Sequence, residues 1–204
     1  MNKNGFECPE VFLNVLVQLL GNIERWKNYP QHTPETVLEH TFKICTLGLL
    51  ACLIEKKEQQ TNIDFFKVMA ALLVHDWGEG QVGDVTWSVK NDPRLKKIIE
   101  EIEKEKLNSF LTGFLPEAIV ADINKLIDVQ NDLSVAGNFF RAIERLGYVS
   151  YALQEIEKYD RKEFVSGVLE NQYDHLERAA LQFPSIKIIW EAMKPRVEKF
   201  LKKG

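Results

Sequence analysis

Apolar residues recur every three or four positions along most of the chain, which is the spacing of one face of a helix. The pattern predicts a first helix that runs toward Trp26, a second that starts at Thr33-Pro34, and a third whose strongly apolar course ends at Val74. Segment 78–84 contains three glycines and is predicted to be a loop.

The rest of the chain continues with helical spacing. A helix after Asp92-Pro93 has one apolar face and a charged run at residues 100–105, which is predicted to face solvent. Further helices are predicted over residues 116–131, 133–158, 160–181 and 185–202. No segment shows the alternation of a strand bounded by turn residues. The pattern therefore predicts an all-α fold of about seven or eight helices, without an internal repeat.

The composition is that of a soluble globular protein. Of the 204 residues, 45% are hydrophobic and 27% are charged, and the length suits one domain with a continuous core. The first ten residues lack the pattern of a signal peptide, and no apolar run is expected to span a membrane, so the sequence predicts a cytoplasmic protein without a membrane anchor. Three cysteines without a CxxC pair agree with a reducing compartment.

The charge balance limits the class of ligand. The formal net charge of −4 argues against binding of polymeric nucleic acid, which requires a basic surface that displaces counterions from phosphates. A small anionic substrate needs only a local cationic pocket, and such a substrate is compatible with the sequence.

The candidate chemistry lies where the third helix ends. His75 and Asp76 directly follow the apolar run, and His40 lies near the start of the second helix. Glu79 and Asp84 follow in the glycine-rich segment. Imidazole and carboxylate groups bind divalent transition metals and leave positions open for water and a phosphate oxygen, so the pattern favours a metallohydrolase with a single site. Taken alone, a histidine on an apolar helix is more often a hydrogen-bonded core residue.

The order of several motifs along the chain is a more specific signal of function than the His75-Asp76 dipeptide alone. Arg25-Trp26 lies at the predicted end of the first helix, and Thr36 precedes Glu39-His40 at the predicted start of the second. The third helix leads into His-Asp-x-x-Glu-x-x-x-Gly-Asp, residues 75–84, and then Lys90. Over residues 23–90 the chain resembles the HD-domain superfamily of phosphohydrolases, most closely its 5′-deoxynucleotidase branch. The resemblance implies a single HD domain over residues 1–204 with a C-terminal helical extension.

The resemblance implies one divalent transition metal held by His40, His75 and Asp76, with a fourth carboxylate from a later helix. Counting at the spacing of the family places that carboxylate at Glu144, where the family has aspartate. The additional methylene moves the carboxylate by roughly 1 Å, so Glu144 either binds the metal, contacts it through water, or pairs with a neighbouring arginine. Co, Mn, Fe, Ni and Zn are all compatible with these ligands.

Catalytic roles follow for two carboxylates. Asp76 acts through the metal, which would lower the pKa of water and neutralise charge on the phosphoryl oxygens. Glu79 lies about one helical turn beyond Asp76 and is the expected group for proton transfer. Its ordinary alternative is a solvated loop carboxylate.

Substrate contacts are implied for four further residues. Arg25 and Lys90 are expected to hold the phosphate, with the alternative that each is a surface cation. Trp26 is expected to cover the sugar and to help reject a ribose 2′-hydroxyl, and Asp84 to accept a hydrogen bond from the 3′-hydroxyl. Indoles at two positions differ from the pattern of the family and leave the preferred base and sugar open, namely Trp77 and Trp87.

Three functions are compatible with these residues. The first is removal of the 5′-phosphate from (deoxy)nucleoside monophosphates, and the second is hydrolysis of nucleoside di- or triphosphates or of a modified nucleotide. The third is a nucleotide-binding or scaffold protein without catalysis, supported only by Glu144. Members of the resembled family are commonly dimers, so a homodimer is expected. Aromatic residues such as Phe139, Phe140, Tyr148 and Tyr151 could form that interface or line a core.

Overall fold

The computed structural model describes residues 9–58, 62–90 and 92–202, without the side chains of residues 87 and 88. Ten α-helices lie in these ranges: α1 (Pro9–Gly21), α2 (Val37–Glu58), α3 (Phe65–Val74), α4 (Glu79–Val82), α5 (Trp87–Lys90), α6 (Lys96–Thr112), α7 (Glu117–Ile127), α8 (Val135–Tyr159), α9 (Glu170–Gln182) and α10 (Pro184–Leu201). A 3-10 turn (Asp128–Asn131) follows α7, and a π-helical turn (Val165–Leu169) precedes α9. Apart from the four-residue α4 and α5, eight helices remain, and these ranges contain no strand, which confirms the all-α prediction.

The start of α2 differs from the prediction. The helix begins at Val37 rather than at Thr33-Pro34, and Thr36 and Glu39 form a reciprocal capping box in front of it. The Thr36 backbone N–H donates to Glu39 Oε2 at 2.8 Å, and the Glu39 N–H donates to Thr36 Oγ1 at 3.2 Å. This box satisfies N–H groups that the first turn leaves without helical partners.

The segment predicted to be a loop, 78–84, contains the short helix α4. The Gly83 N–H donates to the Glu79 carbonyl at 2.7 Å, and Gly83 then ends the turn with a φ of 86°. A Cβ atom at Gly80 would lie 3.3 Å from Leu20 Cδ2, so the missing side chain lets α4 approach α1. The glycines therefore permit a packed turn here rather than preventing a helix.

Two compact units are distinguished by their internal packing. Of the described residues, the first unit takes those within Met1–Asn28, Pro34–Thr41 and Val74–Asp128. Its apolar core joins α1, α6 and α7 and is formed by Phe12, Leu16, Leu20, Val37, Leu107, Leu111, Leu115 and Val120. The predicted extent of one domain over residues 1–204 stays a prediction.

The second unit takes the described residues within Tyr29–Thr33, Phe42–Leu73 and Val129–Gly204. Helices α8, α9 and α10 pack together around side chains that are almost completely buried, including Phe139, Phe140, Ile143, Leu153, Leu169, Leu176 and Trp190. Cys52 is buried and Cys45 half-buried in this unit, and burial raises the pKa of both thiols to about 11.

A buried carboxylate fixes the loop that belongs to the second unit. Glu155 on α8 accepts hydrogen bonds from the backbone N–H groups of His32 at 2.6 Å and Thr33 at 3.1 Å. The Tyr151 hydroxyl donates to Gln31 Oε1 at 2.6 Å and lies 2.9 Å from the Thr33 carbonyl. These bonds give backbone groups of the loop fixed partners on α8.

By length and composition alone, α2 could cross a membrane, contrary to the expectation that no apolar run reaches that length. This criterion is weak evidence, because core helices of soluble proteins satisfy it as well. Part of the most apolar stretch of α2 is buried within the protein.

Candidate active site

Three potential metal ligands converge in the first unit. His40 lies in the first turn of α2, and His75 and Asp76 directly follow α3. One donor atom from each of the three residues lies within 4.8 Å of the others. Asp76 Oδ2 is 3.0 Å from His75 Nε2 and 4.0 Å from His40 Nε2, and all three side chains are buried.

This donor set fits a divalent transition metal. Donor atoms at about 2 Å from one ion lie roughly 3 to 3.5 Å from one another in tetrahedral geometry, which is close to the observed separations. Two imidazole nitrogens and one carboxylate oxygen suit several first-row metals. Three protein ligands also leave coordination positions for water and substrate.

Arg25 links the ligand cluster to a second carboxylate. Its Nη1 donates to Asp76 Oδ2 at 2.6 Å and lies 3.5 Å from Glu79 Oε2. Although burial by itself would raise the pKa of Asp76, the charges of His75 and Arg25 hold this pKa well below its usual range. The low pKa favours the ionised form of Asp76, which is the form of a carboxylate that can bind a metal.

A short antiparallel pairing places Arg25. Its backbone N–H donates to the Glu35 carbonyl at 2.8 Å, and the Val37 N–H donates to the Ile23 carbonyl at 2.9 Å, around a single β-bridge. The chain after α1 is thereby joined to the chain that enters α2, although the two segments are separated in sequence.

Glu79 lies beside a second cation. It is buried at the start of α4, and Lys90 Nζ donates to its Oε1 at 2.5 Å. Burial and the negative charge of Asp76 raise the pKa of Glu79 to about 7, while the charges of Lys90 and Arg25 act in the opposite direction. A carboxyl group with this pKa can exchange a proton near neutral pH. Burial excludes the alternative of a solvated loop carboxylate.

The predicted solvent face of α6 contributes one residue to this region. Glu103 Oε1 lies 3.4 Å from Lys90 Nζ, so part of the charged run at 100–105 faces the interior of the first unit. The sequence did not reveal this contact, because acidic residues on an amphipathic helix are usually solvated. Lys90 is thus held by two carboxylates, which is not the environment of an ordinary surface cation.

Asp84 and Trp26 lie in the same unit. Asp84 is half-buried, and burial raises its pKa, whereas the positive charges of Arg25 and Lys90 lower it. Trp26 is partly exposed and has a φ of 63°, and its Nε1 donates to Glu35 Oε2 at 3.0 Å. Glu35 could not be recognised from the sequence, since an acidic residue just before a helix is common and carries no specific signal.

Of the two further tryptophans, Trp77 and Trp87, the structure describes the side chain of the first only. The Trp77 ring packs edge-on against Phe12 with ring centroids 6.1 Å apart, so it contributes to the apolar core of the first unit. The side chain of Trp87 lies outside the described residues.

Glu144 belongs to α8 in the second unit. Its Oε1 accepts a hydrogen bond from the Tyr148 hydroxyl one turn later. Metal binding by Glu144 stays a prediction from the resemblance. Phe139, Phe140 and Tyr151 of the same helix are buried and form core, as one of the two alternatives predicted.

Comparison with known proteins identifies the family. The family model described as 5′-deoxynucleotidase YfbR-like matches residues 11–197, which is nearly the whole chain. The chain belongs to this family. The resemblance noted in the sequence is thereby confirmed, and the chain is a hydrolase.

Two relatives of this chain are named 5′-deoxynucleotidases, as is the family. The 5′-deoxynucleotidase YGK1 of Saccharomyces cerevisiae is 24% identical over 177 residues, which cover 82% of this chain and 77% of the relative. The 5′-deoxynucleotidase HDDC2 of Dictyostelium discoideum is 38% identical over 91 residues, which cover 43% of this chain and 47% of the relative.

Solved structures establish the fold of this family member. An HD-domain phosphohydrolase from Listeria innocua has a TM-score of 0.78 at 18% identity, covering 96% of this chain and 92% of its own. A predicted metal-dependent phosphohydrolase from Magnetospirillum magnetotacticum has a TM-score of 0.62 at 17% identity, covering 96% of this chain and 95% of its own. The chain therefore has the all-α fold of HD-domain phosphohydrolases.

Proposed function

We propose that this chain removes the 5′-phosphate from deoxynucleoside monophosphates in a metal-dependent hydrolysis. The observation that carries the proposal is the buried convergence of His40, His75 and Asp76, with Arg25 and Glu79 in direct contact around it. Membership in a family described as 5′-deoxynucleotidase supports the choice of substrate.

A bound divalent ion would supply Lewis acidity and would neutralise charge on the phosphoryl oxygens. Arg25 and Lys90 add two positive charges around Glu79, and a guanidinium group is suited to bind phosphate. Glu79 lies between these two cations, where it can give a proton to the leaving oxygen or take one from the attacking water. The protein thus positions charge and a proton carrier around the phosphate.

The sugar contacts and the fourth ligand are further parts of the proposal. Asp84 accepts a hydrogen bond from the 3′-hydroxyl, and Trp26 covers the sugar at the position of the 2′-carbon. Glu144 is proposed as a fourth ligand on the basis of the resemblance alone. The metal content of a Glu144→Gln variant tests this, because glutamine keeps the size and the contact with Tyr148. The metal is one of Co, Mn, Fe, Ni and Zn.

A panel of nucleotides tests the substrate. With Co or Mn added, phosphate release is expected from deoxynucleoside monophosphates. It is expected to be roughly 10- to 100-fold faster than from the ribonucleotides, because Trp26 leaves no room for the 2′-hydroxyl. The measurement is kcat/KM for all deoxy- and ribonucleoside mono-, di- and triphosphates, with chelator-treated protein as the control.

Two results of this panel would contradict the proposal. Faster hydrolysis of di- or triphosphates would indicate the second substrate class predicted from the sequence. Absence of phosphate release from every nucleotide by protein with stoichiometric metal would indicate a different substrate or a binding protein.

We also propose that the chain forms a homodimer through an apolar face in the second unit. Phe42 is 73% exposed and Phe66 is 80% exposed, although both are large apolar residues. Further apolar side chains on α2 and α3 are about half exposed, namely Leu49, Leu50, Leu53 and Leu73. Exposed large apolar side chains in this number commonly mark a protein interface. A cytoplasmic location and the absence of membrane and polymeric nucleic-acid partners stay predictions.

The double variant Leu49→Glu, Phe66→Glu is expected to convert a dimer into a monomer, since buried unpaired charge opposes association. Light scattering after size exclusion measures the mass. The control is Leu181→Glu on α9, where an exposed leucine lies on a different helix of the unit. A monomeric unmodified protein, or a dimer that survives the double substitution, would contradict the proposal.

A further inference from the structure

Glu35 is a buried carboxylate to which the sequence assigns no role. Its side chain is 2% exposed, and it lies five residues before His40 in the segment that enters α2. Carboxylates are rarely buried unless charged or hydrogen-bonding groups stabilise them. The groups around Glu35 therefore indicate what this residue does.

One oxygen of Glu35 contacts two side chains of the proposed site. Trp26 Nε1 donates to Glu35 Oε2 at 3.0 Å, and His40 Nδ1 lies 3.7 Å from the same oxygen. The other ring nitrogen of the histidine, His40 Nε2, lies 4.0 Å from Asp76 Oδ2. The imidazole therefore has Glu35 on one side and the ligand cluster on the other.

This arrangement favours the form of His40 that can bind a metal. A neutral imidazole carries its proton on one nitrogen, and a carboxylate beside Nδ1 favours the proton there. The lone pair is then on Nε2, the atom that lies near Asp76. At 3.7 Å the contact of Glu35 with Nδ1 is longer than a hydrogen bond and is electrostatic in this structure.

Trp26 depends on Glu35 in a different way. Its φ of 63° is in the left-handed region, where a bulky side chain persists only when its surroundings hold it. Glu35 provides two such contacts. Its carboxylate binds the indole N–H, and its backbone carbonyl accepts the N–H of Arg25, the residue before Trp26.

We propose that Glu35 is a positioning residue that sets both the metal-facing nitrogen of His40 and the orientation of the Trp26 indole. The inference rests on the proposed function, in which His40 binds the metal and Trp26 covers the sugar. Because one oxygen contacts both residues, metal affinity and discrimination against ribose depend on the same side chain.

Two substitutions separate the two effects. Glu35→Gln keeps the volume and an oxygen that accepts the Trp26 N–H, but it removes the charge beside His40. Glu35→Leu removes both the charge and the acceptor. The matched control is Glu39→Gln, which neutralises a nearby carboxylate that accepts hydrogen bonds from Thr36, and a capping box accepts glutamine at this position.

Cobalt affinity is the first measurement, by competition with a chelator. Glu35→Gln is expected to bind cobalt roughly 10- to 100-fold more weakly, as is typical when the partner of a ligating histidine is lost. Glu39→Gln and Trp26→Phe are expected to bind cobalt like the unmodified protein.

The Trp26 environment is the second measurement, by fluorine NMR of protein labelled with 5-fluorotryptophan. The Trp26 resonance, assigned by its loss in Trp26→Phe, is expected to shift in Glu35→Leu and to stay in place in Glu35→Gln. Among active variants, the ratio of kcat/KM for deoxy- over ribonucleotide is expected to fall in Glu35→Leu and to be kept in Glu35→Gln.

The cobalt and fluorine measurements use no nucleotide, so they test Glu35 even if the proposed substrate is wrong. Cobalt affinity unchanged in Glu35→Gln, or a Trp26 resonance unmoved in folded Glu35→Leu, would overturn the inference. If circular dichroism shows that Glu35→Leu is unfolded, the inference is tested by the cobalt affinity of the conservative Glu35→Gln variant.

Discussion

Replacement of Asp76 by asparagine is expected to remove the bound metal and to lower phosphate release by about 10³-fold or more. A single oxygen of Asp76 lies within 4.0 Å of His40, His75 and Arg25, and asparagine takes away the charge on which all three converge. Loss of several kcal/mol of charge stabilisation in the transition state corresponds to a rate factor of this size.

Metal content by mass spectrometry and phosphate release together measure this effect. The control is Asp122→Asn, which makes the same chemical change in an exposed pair with Lys125 on α7. That control should retain both metal and activity. An Asp76→Asn protein with stoichiometric metal and nearly full activity would refute the assignment of Asp76 as a ligand.

Replacement of Glu79 by glutamine is expected to lower kcat by about 10²- to 10⁴-fold and to leave the metal in place. Glutamine keeps the size of the side chain and can still accept a hydrogen bond from Lys90, but it cannot transfer a proton. KM is expected to change little, because Arg25 and Lys90 are both retained.

Glu103→Gln is the matched control for Glu79→Gln, since both carboxylates contact Lys90. Glu103 is not proposed to transfer a proton, and its substitution is expected to have a much smaller effect on kcat. Equal losses in the two variants would mean that both residues act only by holding Lys90. Loss of metal in Glu79→Gln would mean that Glu79 supports the ligand cluster instead.

The course of most helices and the position of the His75-Asp76 pair were predictable from local sequence. The apolar course of α3 requires burial, and it ends at Val74, directly before His75 and Asp76. Because a buried helix carries the residues at its end into the interior, sequence spacing alone placed this pair beside a core. His40 was likewise placed near the start of α2, although the first residue of that helix was predicted three to four positions too early.

Contacts between distant parts of the chain account for what the sequence did not predict. The turn α4 packs closely on Leu20 at Gly80, and local propensity contains no information on that contact. Glu35 lies just before α2 and Glu103 within α6, and acidic residues are common at both kinds of position. Their roles follow from partners that only the folded chain brings near them, Trp26 and Lys90.

The loop at residues 29–33 is not free to change in length during evolution or engineering. Two consecutive N–H groups, those of His32 and Thr33, are bonded to the single carboxylate of Glu155. One inserted residue would move at least one of these donors away and would leave a fully buried carboxylate short of a partner, at a cost of about 1 to 3 kcal/mol. Surface loops usually accept tags, circular permutations and inserted domains, but we expect such changes within residues 29–33 to destabilise this protein.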